Sequence, residues 1–312
     1  MQPKMICIAG PTASGKTALA VAMAKLLNGE VVSCDSMQIY KGMDIGTAKP
    51  TTEEMEGIPH YMLDVVAPNE DFSVSRYCEM ATPIVEDIIA RGKTAIVAGG
   101  TGLYMDALVK GNSFAPYPST GMREKLEQQA DEQGMEAMLQ LLNQIDPDSA
   151  KKLHLKDRKR VLRALEVYYE TGETITAHNL KTQAIPPKFN PVWFGLEDEN
   201  RADLYARIDR RVELMLQQGL IEEIRHLLDS GISEKATAMQ AIGYKEFVDA
   251  LAGRSDMASA IALVQQASRH YAKRQLTWFR RNPNMHWLRR APGENTIQIL
   301  QKARQILEEF DN

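Results

Sequence analysis

Residues 10–17 read Gly-Pro-Thr-Ala-Ser-Gly-Lys-Thr, and this octet constrains the fold more than any other stretch of the chain. The pattern G-x-x-x-x-G-K-[ST] works only where a strand delivers the chain into a tight glycine turn and a helix leads it away. Both flanks comply. Met5–Ala9 (MICIA) is short and wholly apolar, as a buried parallel strand is, and Lys16 to Leu27 carries Ala, Leu, Val and Met almost unbroken. In such a P-loop the backbone N–H groups of Gly10, Pro11, Thr12, Ala13, Ser14 and Gly15, Pro11 excepted, can curl around phosphate oxygens at a helix N-terminus. Lys16 supplies a point charge, and Thr17 offers its hydroxyl to Mg²⁺.

Downstream, apolar runs alternate with helical ones. Glu30–Cys34 (EVVSC), Tyr61–Val66 (YMLDVV) and Thr94–Ala98 (TAIVA) are strand candidates, and Ile84–Ala90 has helical character. Strands alternating with helices predict a parallel α/β sheet. The pattern changes after Gly111. Asn112–Thr120 has linker composition, and Met122–Glu170 is helical in period with no strand candidate. A second loose stretch, Thr182–Pro191, leads to another strand, Val192–Gly195. Helices are expected at Arg201–Gln217, Ile221–Leu228, Lys245–Leu251 and Met257–Arg280. The expected architecture is therefore a P-loop NTPase-like parallel sheet core (1–111 and 191–312) interrupted by an all-helical insertion domain (112–190).

Charge is distributed unevenly. The net charge is −4, yet residues 1–150 hold 11 basic and 20 acidic residues, so the remainder is net positive. Seven basic residues against one acid fall between Lys151 and Arg163, and seven against none between Arg269 and Arg290. Such asymmetry points to a polyanion partner for the basic part, although a lone charge run is more often a solvated helix face. The three cysteines, Cys7, Cys34 and Cys78, form no even framework, and no apolar window approaches a membrane span. An intracellular, cytoplasmic protein without a signal peptide is expected.

A P-loop does not identify its phosphate. The late strand Thr94–Ala98 ends in Gly-Gly-Thr-Gly where an NTPase would have a magnesium aspartate, and Asp64 is a poor substitute in mid-strand. Asp35 follows the second strand and should face the P-loop crevice. There it is either a base or magnesium carboxylate, or an N-cap or turn aspartate. Thr101 ends the third strand at the same edge.

GPTASGKT, then Asp35–Pro50 (DSMQIYKGMDIGTAKP), then Gly99–Tyr104 (GGTGLY) resemble in order the tRNA dimethylallyltransferase (isopentenyl-tRNA transferase) family. Arg158–Tyr168 (RKRVLRALEVY), Gln240–Lys245 (QAIGYK) and Tyr271–Phe279 (YAKRQLTWF) extend the resemblance to nearly the full chain. It is similar to the compact bacterial form, without a C-terminal zinc-finger extension. The resemblance implies transfer of a dimethylallyl group from dimethylallyl diphosphate to N6 of the adenosine immediately 3′ of the anticodon, in tRNAs reading codons that begin with U. It implies Asp35 as general base and Thr101 at the reacting centre, with the P-loop and Mg²⁺ stabilising the leaving diphosphate. Arg211 matches a diphosphate-holding arginine, with Arg207 and Arg210 as neighbours able to take that role.

The implied tRNA contacts, on the anticodon stem-loop, are Asp35, Ser36, Met37, Gln38, Thr101 and Arg123, and then two basic segments. The first is Lys159, Arg160, Val161, Leu162 and Arg163. The second is Lys273, Arg274, Gln275, Leu276, Thr277, Trp278, Phe279 and Arg280. Gln240, Ala241, Ile242, Gly243, Tyr244 and Lys245 complete the set. A monomer is expected, with ATP a candidate alternative occupant of the loop. Rival readings are a small-molecule P-loop kinase, a non-catalytic RNA-binding P-loop protein, and a prenyltransferase of free adenine nucleotides. Lys273–Arg280 argues against the last, since a mononucleotide offers too few phosphates to engage it.

Overall fold

The computed structural model describes residues 4–111, 120–183 and 186–311. In it the first strand, β1 (Met5–Ala9), has all five residues buried. It turns through the glycine loop into α1 (Lys16–Leu26), whose run of Ala, Leu and Met combines strong helix formers with an apolar face. Asn28 ends that helix in left-handed backbone, φ 49°, which asparagine tolerates better than most side chains. The chain continues through β2 (Gly29–Ser33), α2 (Thr52–Met55), β3 (His60–Tyr61), α3 (Val74–Ala90), β4 (Thr94–Gly99) and α4 (Gly102–Lys110). The helices α5 (Met122–Ile145), α6 (Pro147–Ala150), α7 (Arg158–Thr171) and α8 (Ile175–Gln183) come next. Then follow β5 (Val192–Asp198), α9 (Arg201–Gln217), α10 (Leu220–Asp229), α11 (Tyr244–Leu251), α12 (Met257–Phe279), β6 (Met285–Arg290) and α13 (Thr296–Asp311).

The strands form one six-stranded sheet in the order β3-β2-β4-β1-β5-β6, every adjacent pair parallel. A parallel sheet needs cover on both faces. Ile6, Ile8, Ile96, Phe194 and Leu196 point to one face and pack with Leu19 and Met23 of α1 and Ile299, Ala303 and Leu307 of α13. On the other face lies α3, where Tyr77 donates to the carbonyl of Ser33 at 3.0 Å and stacks on Tyr104 of α4. Helices α9 to α12 build a second core around Ile224, Leu227, Tyr244, Phe247 and Val264. The irregular segment after β2 plugs Ile39, Tyr40 and Met43 into that core. Each such anchor contributes about 1.5–3 kcal/mol, which holds a loop that has no ladder of its own.

Packing divides the chain into two compact units, residues 1–111 with 188–312, and residues 112–187. The second is a helical unit whose core joins Leu126, Met138 and Leu142 to Val161, Leu162 and Leu165. Its buried Asp146 caps α6 through Ser149 N–H and accepts from the Thr176 N–H and hydroxyl. Residues 112–119 of the expected linker, and 184–185 of the second loose stretch, lie outside the described residues.

Three local expectations need correction, and one strand was not expected. The strand expected at Tyr61–Val66 stops at Tyr61, because Met62 and Asp64 adopt positive φ (61° and 55°) and break the ladder. Helix α3 begins ten residues earlier than Ile84 and carries Pro83 within it. Val192 starts a strand that continues beyond Gly195 to Asp198. The segment Met285–Arg290 forms an edge strand, and its basic residues had obscured it. Among the described residues no helix is long and apolar enough to cross a membrane.

Candidate active site

Strands β2, β4 and β1 are adjacent and parallel, so their C-terminal ends bring Asp35, Gly99–Thr101 and the glycine loop to one sheet edge. The approach is close. A Cβ on Gly99 would lie 1.9 Å from the carbonyl oxygen of Cys34, so only glycine lets the β4 end pass the β2 end. Thr101 then donates its N–H to Cys34 O, and its hydroxyl oxygen accepts the Ser36 N–H at 3.0 Å.

The loop at 10–17 is poised for an anion. Gly15 caps α1 without a side chain, and no acidic residue occupies the first turn, so the positive helix end is left unneutralised. Ser14 Oγ is buried without a hydrogen-bond partner among the described residues. Lys16 folds under the loop and donates to the Pro11 carbonyl at 2.7 Å. Burial, reinforced by Arg211 and opposed by Asp35, pulls its pKa down to about 8. Arg211, on α9, donates to Thr12 Oγ1 at 3.3 Å, and its own pKa is lowered by burial.

These contacts separate the three candidate arginines. Arg211 and Arg207 both reach the loop, at Thr12 Oγ1 and at the Ala13 carbonyl (3.1 Å), but Arg211 senses Asp35, whereas the charge of Arg207 is paired with Asp198 (2.6 Å). Arg210 is exposed. Arg290, on β6, lies against Gly15, its Nε buried and without a hydrogen-bond partner among the described residues.

Asp35 sits where Lys16 and Arg211 both feel its charge. Its Oδ1 accepts the N–H groups of Met37 (2.9 Å) and Gln38 (3.4 Å), while Oδ2 has no hydrogen-bond partner among the described residues. One oxygen thus fixes the carboxylate and the other remains able to take a proton. Tyr271 reaches Thr101, and burial raises the Tyr271 pKa to about 12, keeping the phenol a donor. Gln38 is braced by Ser33 Oγ and by the Thr47 and Ala48 carbonyls.

The side chains around the loop offer few ligands for magnesium. Among the described residues no group of three or more His, Cys, Asp or Glu could hold a metal. Thr17, half-buried in the first turn of α1, is the hydroxyl at hand. That donor set fits an ion carried mainly by diphosphate oxygens and water.

The expected tRNA-binding residues divide by exposure. Lys159, Arg160 and Arg163 are exposed, but Val161 and Leu162 are fully buried in the helical unit's core, so their side chains are not available to RNA. Arg123 pairs with Glu127 at 2.9 Å and Glu166 at 3.6 Å. On α12, Lys273, Arg274 and Thr277 are exposed and Leu276 is half-buried. Gln275 and Phe279 are buried, which removes them from that role, and Arg280 is paired with Glu197. Trp278 donates to Asp106 Oδ2 at 2.9 Å, fixing an indole expected to stack on a base. In 240–245, Gln240 and Lys245 are exposed, Ile242 is half-buried, and Ala241, Gly243 and Tyr244 are buried.

Sequence reasoning missed Glu223. Its carboxylate accepts the N–H groups of Asp44, Ile45 and Gly46 and the Tyr244 hydroxyl, clamping the segment that braces Gln38. A glutamate on an ordinary amphipathic helix carries no signal of such a role.

The sequence profile of the family described as IPP transferase matches residues 38–282. The chain is 44% identical over 307 residues to a tRNA dimethylallyltransferase of Acetivibrio thermocellus, covering 98% of each. It is 46% identical over 290 residues to that of Caldanaerobacter subterraneus, covering 92% of each. Its fold is similar to a tRNA isopentenylpyrophosphate transferase of Bacillus halodurans (TM-score 0.73, 41% identity, 99% and 98% covered). It is also similar to a eukaryotic dimethylallyltransferase acting on tRNA (TM-score 0.82, 30% identity, 98% and 80% covered).

Proposed function

The chain belongs to the IPP transferase family, and from that premise we propose that it transfers a dimethylallyl group from dimethylallyl diphosphate to tRNA. The acceptor is N6 of the adenosine immediately 3′ of the anticodon, in tRNAs reading codons that begin with U. The observation that carries this reading is the meeting of a cationic phosphate cradle, Lys16 with Arg211, and an anchored carboxylate, Asp35, at one sheet edge.

The adenine amine attacks C1 of the dimethylallyl group, the C1–O bond to diphosphate breaks, and Asp35 Oδ2 takes the N6 proton. Lys16, Arg211 and the N–H groups of the loop stabilise charge gathering on the diphosphate as it leaves. Mg²⁺ would offset part of the same charge, held by Thr17 and the diphosphate itself. Thr101 and Tyr271 orient the base. An adenine inside an anticodon stem-loop must unstack to reach this edge, and Ser36, Met37 and Gln38 form the lip that receives it.

Lys273 and Arg274 track phosphates on one segment, and Lys159, Arg160 and Arg163 do so on the other. The enzyme acts as a cytoplasmic monomer. Incubation with labelled dimethylallyl diphosphate, Mg²⁺ and unmodified tRNA tests the reading. Label should enter the base 3′ of the anticodon; none in tRNA at high enzyme, or equal labelling of free AMP, refutes it.

A further inference from the structure

We propose that Gln275 is a positioning residue that locks the donor-binding loop to the loop carrying Thr101, an inference that rests on the transferase reading above. Its side chain is 5% exposed and faces inward from α12. Its Oε1 accepts the Thr12 N–H at 2.9 Å, and its Nε2 donates to the Gly100 carbonyl at 3.0 Å. One planar amide therefore spans the ends of β1 and β4. The fit is tight, because a Cβ on Gly100 would lie 2.1 Å from that Nε2. Lys273 and Arg274, on the same helix turn, are exposed.

Thr12 needs an acceptor and Gly100 a donor, and the uncharged glutamine amide presents both at this reach. With the amide gone, the half-buried Thr12 N–H and the buried Gly100 C=O each lose their partner. The loop that bears Lys16 and the Thr101 loop are then free to shift apart. Misplacement of about 1 Å at a reacting centre is costly, so the effect appears in donor use and turnover, and tRNA affinity is spared.

The test compares Gln275→Met, which keeps side-chain length, with Gln275→Glu, which keeps only the acceptor for Thr12. For Gln275→Met the expected result is a KM for dimethylallyl diphosphate about ten-fold higher and a kcat about ten-fold lower, with the tRNA Kd unchanged. Hydrogen exchange of the Thr12 amide should accelerate in Gln275→Met and stay slow in Gln275→Glu. Affinity for inorganic diphosphate should fall in step with that acceleration.

A folded Gln275→Met with wild-type KM, kcat and Thr12 exchange overturns the proposal, as does a weakened tRNA Kd with unchanged donor KM. If the wild-type protein transfers no prenyl group, the transferase reading fails. Thr12 exchange and diphosphate affinity still decide the role of Gln275.

Discussion

Raising the pH should disarm the donor site near pH 8, well below the range where an ordinary lysine titrates. Burial lowers Lys16 from 10.5 to about 8, a differential of about 3 kcal/mol between its charged and neutral forms. A bound diphosphate restores the lost solvation, so Lys16 stays charged in the complex. The free enzyme must then be protonated before it binds well. The Kd for dimethylallyl diphosphate should be flat below pH 7.5 and weaken toward ten-fold per pH unit above 8, about ten-fold overall between pH 7 and pH 9. Binding at pH 9 should take up close to one proton. Calorimetry in buffers of different ionisation enthalpy measures both quantities, and Lys16→Gln should abolish the proton uptake.

A Kd that changes less than about two-fold over that interval, with no proton uptake, would refute the argument. Stability responds with its own sign. The unfolded lysine holds its proton up to about 10.5 and the folded one only to about 8. The unfolded chain therefore binds more protons in between, and this group's contribution to stability rises with pH through that window.

Asp35→Asn should lower kcat by about 10²–10⁴-fold while tRNA Kd holds; equal loss of binding in a filter assay would contradict the base role. Exchanging Lys273 and Arg274 together for glutamine should weaken tRNA binding and reduce the salt slope by about 1–2. An unchanged slope would place that helix away from RNA. Arg280 is the poorer choice for this test, since it is already paired with Glu197. Glu223→Ala strands three N–H groups and the Tyr244 hydroxyl, so urea denaturation should register a loss of about 2 kcal/mol, together with a raised KM for tRNA. Wild-type stability in that variant would show that the 44–46 turn holds itself.

The part of the fold that local pattern could carry was legible. The octet at 10–17 announces its strand and helix because the motif needs both, and the Ala-rich stretch from Lys16 has one plausible conformation. Pattern failed where tertiary context decides. YMLDVV has a strand's composition, but left-handed backbone at Met62 and Asp64 ends it, and Asp64 pairs with Lys49 of a distant loop. MHWLRR conceals an edge strand because its solvent-facing charges resemble the tail of the basic helix before it. In the site, Asp35 and Lys16 could be placed by strand-end logic. Glu223 and the inward turn of Gln275 could not, since their partners lie far away in sequence and helical periodicity does not specify them.

The strand order fixes a timetable for synthesis. β1 emerges first, yet one of its two neighbours, β5, begins at Val192, and the brace from Gln275 to Thr12 spans 263 positions. At about 5–20 residues per second, roughly 15–50 s separate the glycine loop from the residue that ties it down. For much of that interval a half-built sheet of β3, β2, β4 and β1 offers an apolar open edge on the nascent chain, the kind of surface chaperones cover. A ribosome stalled before α12 would release a chain with its phosphate loop made but unbraced, so truncated products of this protein should aggregate before they could interfere with the intact enzyme.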